Sequence, residues 1–294
     1  MTMSGGPLKF AELILEDGNN LRLWGGGLRF VGLDGSGIPP IRRLTERSAL
    51  QHGVMDRGFR LDARRMTLQL ATDLQNESQL DGMKDRVAGA FGPTDNPLKL
   101  KITRDDGEIR QIDCFVDGEI DFAMSQRTGT LQHITVPLLA PDPIWYNPTQ
   151  QTESVAITDG STSHLTPSIV GWTWEEWPII TLTGPLNTGY SVRILPAGFS
   201  LTFSSALPAG EQIEIDCRPN HKTILKVSDS SNKLSYLNPS TVANFAYMKL
   251  LPPKATLAIV GSYSTVNFIY VLDAAGTTGA SALSATWYKR HLSL

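Results

Sequence analysis

The stretch RRMTLQLAT, residues 64–72, alternates without a break: Met66, Leu68 and Leu70 fall on one side, Arg65, Thr67 and Gln69 on the other. A period of two is the mark of a strand with one face on a core. Phe10 to Leu15 and Leu21 to Trp24 are short apolar-rich runs split by EDGNN, whose Asp17-Gly18 suits a tight turn, so they predict a hairpin. Between Asn76 and Phe91 the period changes. Leu80, Met83, Val87 and Phe91 recur at steps of three and four, and Asn76 or Ser78 can cap the free N–H groups, which predicts an α-helix. Leu98, Leu100 and Ile102 then face Ile112, Cys114 and Val116 around an Asp106-Gly107 turn, predicting a second hairpin. GTLQHITVPLLA is a last strand. It runs into Pro141, Pro143 and Pro148, which cannot donate to a ladder and hold the preceding residues extended.

Beyond that point the texture changes. Short β-like runs at Ile179–Thr183, Tyr190–Ile194, Ser200–Phe203, Gln212–Asp216, Thr223–Val227, Ala255–Val260, Val266–Val271 and Ala282–Tyr288 are punctuated by Gly, Pro, Asn and Ser, at the spacing of an all-β sandwich. No helix is expected there, and Trp287 is expected in the core. With 294 residues the chain favours two domains. Charge supports the division: residues 1–150 hold 17 Lys+Arg and 20 Asp+Glu, whereas the remainder holds 9 of each. The expected division is therefore a first domain at 1–148, a Ser/Thr-rich linker or extended edge segment at 149–176, and a sandwich at 177–294 that folds alone.

A net charge of −3 supplies no field to recruit nucleic acid or anionic membrane, and no window is apolar enough to span a bilayer. MTMSGGPLKF lacks the basic and apolar regions of a signal peptide, so Cys114 and Cys217, one in each domain, are expected as free thiols from a reducing cytoplasm.

Few residues invite chemistry. Gly25-Gly26-Gly27 is followed by no Lys-Ser or Lys-Thr and reads as a turn; Ser36 in DGSGIPP is not a nucleophile elbow. The histidines at 52, 133, 164, 221 and 291 lie singly, without metal-ligand spacing, and the carboxylate pairs Asp105-Asp106 and Glu175-Glu176 read as a turn and a solvated loop. No catalytic residue, metal or cofactor is expected. Two features exceed what a bland fold needs. Arg42, Arg43, Arg47, Arg57, Arg60, Arg64 and Arg65 crowd into 24 residues of a net-acidic domain, as a subunit interface would use them or as a solvated face. Trp172, Trp174 and Trp177, in WTWEEW, could stack on a glycan or plug a junction between domains.

The run VPLLAPDPIWY, following strands, one helix and the DDGEIRQI hairpin, resembles the signature that ends the N-terminal domain in the distal tail proteins of siphophages; it carries Pro141, Asp142, Pro143 and Trp145. WPIITLTGPLNTGYSVRI, LPAGEQIEIDC and ATWYKRHL are similar to the second half of that family. The resemblance implies a mainly β protein: a sandwich- or barrel-like N-terminal domain with one α-helix, then a galectin-like antiparallel sandwich. It further implies a homo-hexameric ring at the virion tail tip, made in the host cytoplasm. Its partners would be the tail tube protein and a tail-tip hub or tail-associated protein, with a host cell-surface saccharide as a further candidate. The prolines would stiffen the exit to the second domain. A free carbohydrate-binding protein and a tail-tip glycan hydrolase are the readings from other classes.

Overall fold

The structure is a computed structural model, and it describes residues 10–47, 52–74, 76–122, 131–157, 162–165, 173–194, 199–250, 270–273 and 281–294. The chain divides into two compact units. The first comprises residues 1–148 together with His291–Leu294, and the second Thr149–Arg290.

The first unit holds β1 (Phe10–Ile14), β2 (Asn20–Arg22), β3 (Trp24–Gly25), β4 (Leu28–Asp34), β5 (Ile41–Glu46), β6 (Met55–Leu61) and β7 (Arg64–Asp73). The helix α1 (Glu77–Ala90) follows, then β8 (Leu98–Thr103), β9 (Ile109–Val116), β10 (Leu131–Ala140) and β11 (Trp145–Tyr146). One antiparallel sheet runs in the order β2-β1-β8-β9-β10-β7-β4-β3. Its end strands β2 and β3 are separated in sequence by Leu23 alone, so the sheet must curl towards closure. That is a barrel-like unit. The alternation of β7 puts Met66, Leu68 and Leu70 inside, where Ile134, Val136 and Leu138 of β10 meet them. On α1, Leu80, Met83, Val87 and Ala90 are buried, and the Asn76 side chain accepts from Gln79 N at 2.9 Å as the N-cap. Gly107, with φ of +84°, makes the turn between β8 and β9.

The second unit holds β12 (Gln151–Ala156), β13 (Thr162–Leu165), β14 (Ile179–Thr183), β15 (Ser191–Ile194), β16 (Ser200–Thr202) and β17 (Gln212–Asp216). It continues with β18 (Thr223–Lys226), β19 (Tyr270–Asp273) and β20 (Ala282–Trp287). They form two antiparallel sheets, β12-β20-β14-β17-β18 and β13-β19-β15-β16. Ile180, Leu182, Ile213 and Leu283 of the first sheet share a core with Val192, Ile194 and Leu201 of the second, so the unit is a sandwich. Trp287 lies in that core. The expected strands at 255–260 and 266–269 lie outside the described residues.

Of the two readings of 149–176, a linker or an extended edge segment, its first part takes the second, as a strand at the edge of a sheet. β12 pairs with β20 from Gln151↔Trp287 to Ala156↔Ala282, and Ile157 and Leu165 are buried in the sandwich core. An edge strand whose covered face is only half-buried, with Val155 packed against the core beside Gln151 and Glu153, has no apolar stripe, so its Ser/Thr-rich sequence looks like a tether. A fragment beginning near Trp177 would lose that edge; one beginning near Thr149 keeps it. Helical structure of the 3₁₀ type at Leu234–Tyr236 and Pro239–Tyr247 was also unexpected.

Candidate subunit interface

β5 and β6 leave the barrel and pair only with each other, Ile41 opposite Leu61 and Glu46 opposite Met55. All of β5 is exposed, and so is β6 apart from half-buried Gly58 and Leu61. Ile41 is 55% exposed, Met55 44% and Phe59 50%. Such a two-stranded hairpin is marginal in water unless something packs on it, which makes it a candidate contact surface.

The hairpin carries four of the seven arginines singled out by sequence, and its own carboxylates answer them. Arg42 lies 3.8 Å from Asp62, Arg43 3.3 Å from Asp56 and Arg60 3.3 Å from Asp62; Arg57 Nε donates to Glu46 at 2.6 Å. The Arg43 guanidinium also sits 5.7 Å from the centre of the Phe59 ring. These pairs are exposed, each worth about 0–1 kcal/mol, so they balance charge more than they stabilise. Arg47 is exposed beside the hairpin. Arg65 reaches Asp117 at 2.7 Å from a side chain that is 78% exposed.

Arg64 is different. It is buried, its Nε donates to Pro143 O at 2.8 Å, one terminal nitrogen to Gly35 O at 2.8 Å and to Gly37 O, and the other to Leu292 O at 2.8 Å. Its guanidinium lies 6.0 Å from the Trp145 ring centre. Burial lowers its pKa to about 10, so it stays charged at neutral pH. This joins two features the sequence left separate: the arginine stretch and the proline-tryptophan signature. β10 stops at Ala140, immediately before Pro141. The Asp142 side chain then accepts from Ile144 N at 3.2 Å, Pro143 presents its carbonyl to Arg64, and Trp145 is fully buried in the core. Arg64 thus holds a loop, the exit from β10 and residues 291–294 together.

The same terminal residues have a second anchor. Arg110 donates to Ser293 O, and Glu108 collects Arg104 at 2.9 Å, Arg110 at 2.8 Å and His291 Nε2 at 3.4 Å. Burial raises the Glu108 pKa, but hydrogen bonds and charge from Arg110, His291 and Arg104 outweigh it and hold the carboxyl below its ordinary value.

Trp172 lies outside the described residues. Trp174 is half-buried, and Trp177 packs against the sandwich core with Lys249 Nζ 5.7 Å from its ring centre. Lys249 also pairs with Glu175 at 2.6 Å. Trp177 is therefore a packing residue of its own unit, not an open stacking platform. Cys114 and Cys217 are free and buried, and burial pushes both thiols up, Cys114 to about 12. Among the described residues no group of three or more His, Cys, Asp or Glu could hold a metal ion.

As a sequence, the chain matches no protein-family model and no curated protein. As a structure it is similar to the Dit protein of phage SPP1, described as a paradigm of the hub adsorption apparatus in phages that infect Gram-positive bacteria. The TM-score is 0.64 at 14% identity, over 95% of this chain and 98% of that one. A chain of the phage P2 baseplate in its activated conformation with Ca matches at TM-score 0.46 and 9% identity, over 94% and 97% of the two chains. The SPP1 likeness establishes the fold: a mainly β fold shared along nearly the whole chain.

Proposed function

We propose that this chain is a structural protein of a phage tail tip, a distal tail protein whose first unit closes into a homo-hexameric ring between the tail tube and the host-adsorption apparatus. The observation that carries the reading is the fold shared almost end to end with a hub protein of an adsorption apparatus. The β5–β6 hairpin supports the ring. It is an arm with exposed Ile41, Met55 and Phe59 that its own chain leaves uncovered, and a head-to-tail contact repeated by rotation covers each arm with the next copy. Because the hairpin arginines are already paired, that contact rests on apolar burial more than on unlike charge. Arg64 serves the unit's interior instead.

The tail tube protein binds one face of the ring, and a tail-tip hub or tail-associated protein the other. The second unit, read as a galectin-like sandwich, spaces or docks neighbouring proteins. The protein acts in the virion, after synthesis in the host cytoplasm, and carries no catalysis. Electron micrographs of the purified protein, alone and mixed with the tail tube protein, test the reading. Six-fold rings support it; particles without rotational symmetry in both preparations refute it.

A further inference from the structure

Nearly every described cation of the first unit has a partner. Arg22, Arg29, Arg47 and Arg86 have no carboxylate within ion-pair distance among the described residues, and two of the four, Arg22 and Arg86, line one groove. Arg22 stands on β2 with its guanidinium 5.7 Å from the Trp24 ring centre. Arg29 on β4 lies directly across the ladder from Trp24. Arg86 of α1 lines both lobes of the groove, about 510 and 350 Å³, which adjoin through Gly26 and Met83.

The floor is the glycine run that sequence reading took for a turn. A Cβ on Gly27 would lie 2.0 Å from the Leu74 side chain, so that glycine lets the strand pack. Gly25 and Gly26 have left-handed φ of +79° and +61° with nothing within 4 Å of where a Cβ would stand. Bare backbone, an aromatic ring 38% exposed and two guanidinium forks with no carboxylate partner among the described residues suit a chain lying along the groove with carboxylates at its side.

We propose that this groove docks an extended, acidic segment of a partner protein, whose carboxylates pair with Arg22 and Arg86. Charge complementarity selects the occupant. A nucleic acid would bring phosphates along its whole length against a net-acidic domain, whereas a short acidic peptide needs only the local forks. Asp73, in the Gly27 lobe, biases the acidic residues towards the Trp24 end.

The test titrates full-length protein into fluorescein-labelled hexaglutamate at low salt and follows anisotropy, with hexalysine as the control. Saturable binding of one peptide per chain is expected, weakened at least about tenfold in the Arg22→Ala/Arg86→Ala double variant. Both side chains are exposed, so the variant keeps its fold, which circular dichroism checks. Arg43→Ala, in the hairpin, should bind like the parent. Absence of saturable binding overturns the proposal, as does equal weakening by Arg43→Ala. Displacement by inorganic phosphate as effective as unlabelled hexaglutamate would reveal a simple anion site and overturn it too.

Discussion

Replacing Arg64 by methionine keeps much of the side-chain volume and removes every hydrogen bond that ties Gly35, Gly37, Pro143 and Leu292 to one point. Two effects oppose each other. A hydrogen bond from a charged donor contributes about 1.5–3 kcal/mol, and carbonyls left buried without a donor carry a further desolvation cost. Against this, the lowered pKa of Arg64 reflects the cost of burying the charge; a fall to about 10 corresponds to at most about 3 kcal/mol once solvent screening is allowed for, recovered when the charge is removed. With four carbonyls released the losses win, by about 3 kcal/mol net at the low end of these magnitudes. For a domain of this size that lowers the melting temperature of the first unit by about 6–12 °C. Calorimetry should show one shifted transition, with the sandwich transition unmoved. Arg64→Lys should lose nearly as much, because an ammonium cannot reproduce the planar fork. The neighbouring Arg65→Met, whose pair with Asp117 is exposed, should cost at most about 0.5 kcal/mol. Equal effects at 64 and 65, or full retention of stability in Arg64→Lys, would refute the clamp.

Glu108 has a depressed pKa in the folded state, so its stabilisation is present above the ordinary carboxyl value of 4.5 and is lost as pH falls through the folded value; Glu108→Gln should flatten the acid limb of stability against pH, measured by urea unfolding. Cys114 and Cys217 should resist a thiol reagent at pH 8 in the native protein, since burial keeps both protonated, and the reagent should count two thiols after unfolding without reductant. Trp177→Ala should destabilise the sandwich by about 2–3 kcal/mol through lost packing and leave the first unit's transition in place.

What the sequence conveyed depended on whether an element had an inside and an outside. β7, β10 and α1 face a core on one side, and their periods of two and 3.6 were legible to within a residue or two. β5 and β6 have no buried face, so no alternation marked them, and their arginines looked like one patch with Arg64 and Arg65. The parity needed to separate that last pair was present. Met66, Leu68 and Leu70 point inward, so Arg64 shares their face and Arg65 does not. The polar edge strand β12, whose covered face is only half-buried, read as a linker or an extended edge segment because it carries no apolar alternation. The carbonyls Arg64 gathers could not be read, because Gly35, Pro143 and Leu292 meet only through tertiary closure. The groove likewise joins three elements through Arg22 of β2, Trp24 of β3 and Arg86 of α1, which meet only in the folded unit.

The ring is tested most directly by the native mass of the purified protein over a range of concentrations, with and without the tail tube protein. The account predicts a particle of six chains of 32.1 kDa each, insensitive to moderate salt, and its collapse to single chains when Phe59 and Met55 are both changed to serine. A parent protein that stays at the mass of one chain at high concentration and low salt, with its tail neighbour present, would contradict it.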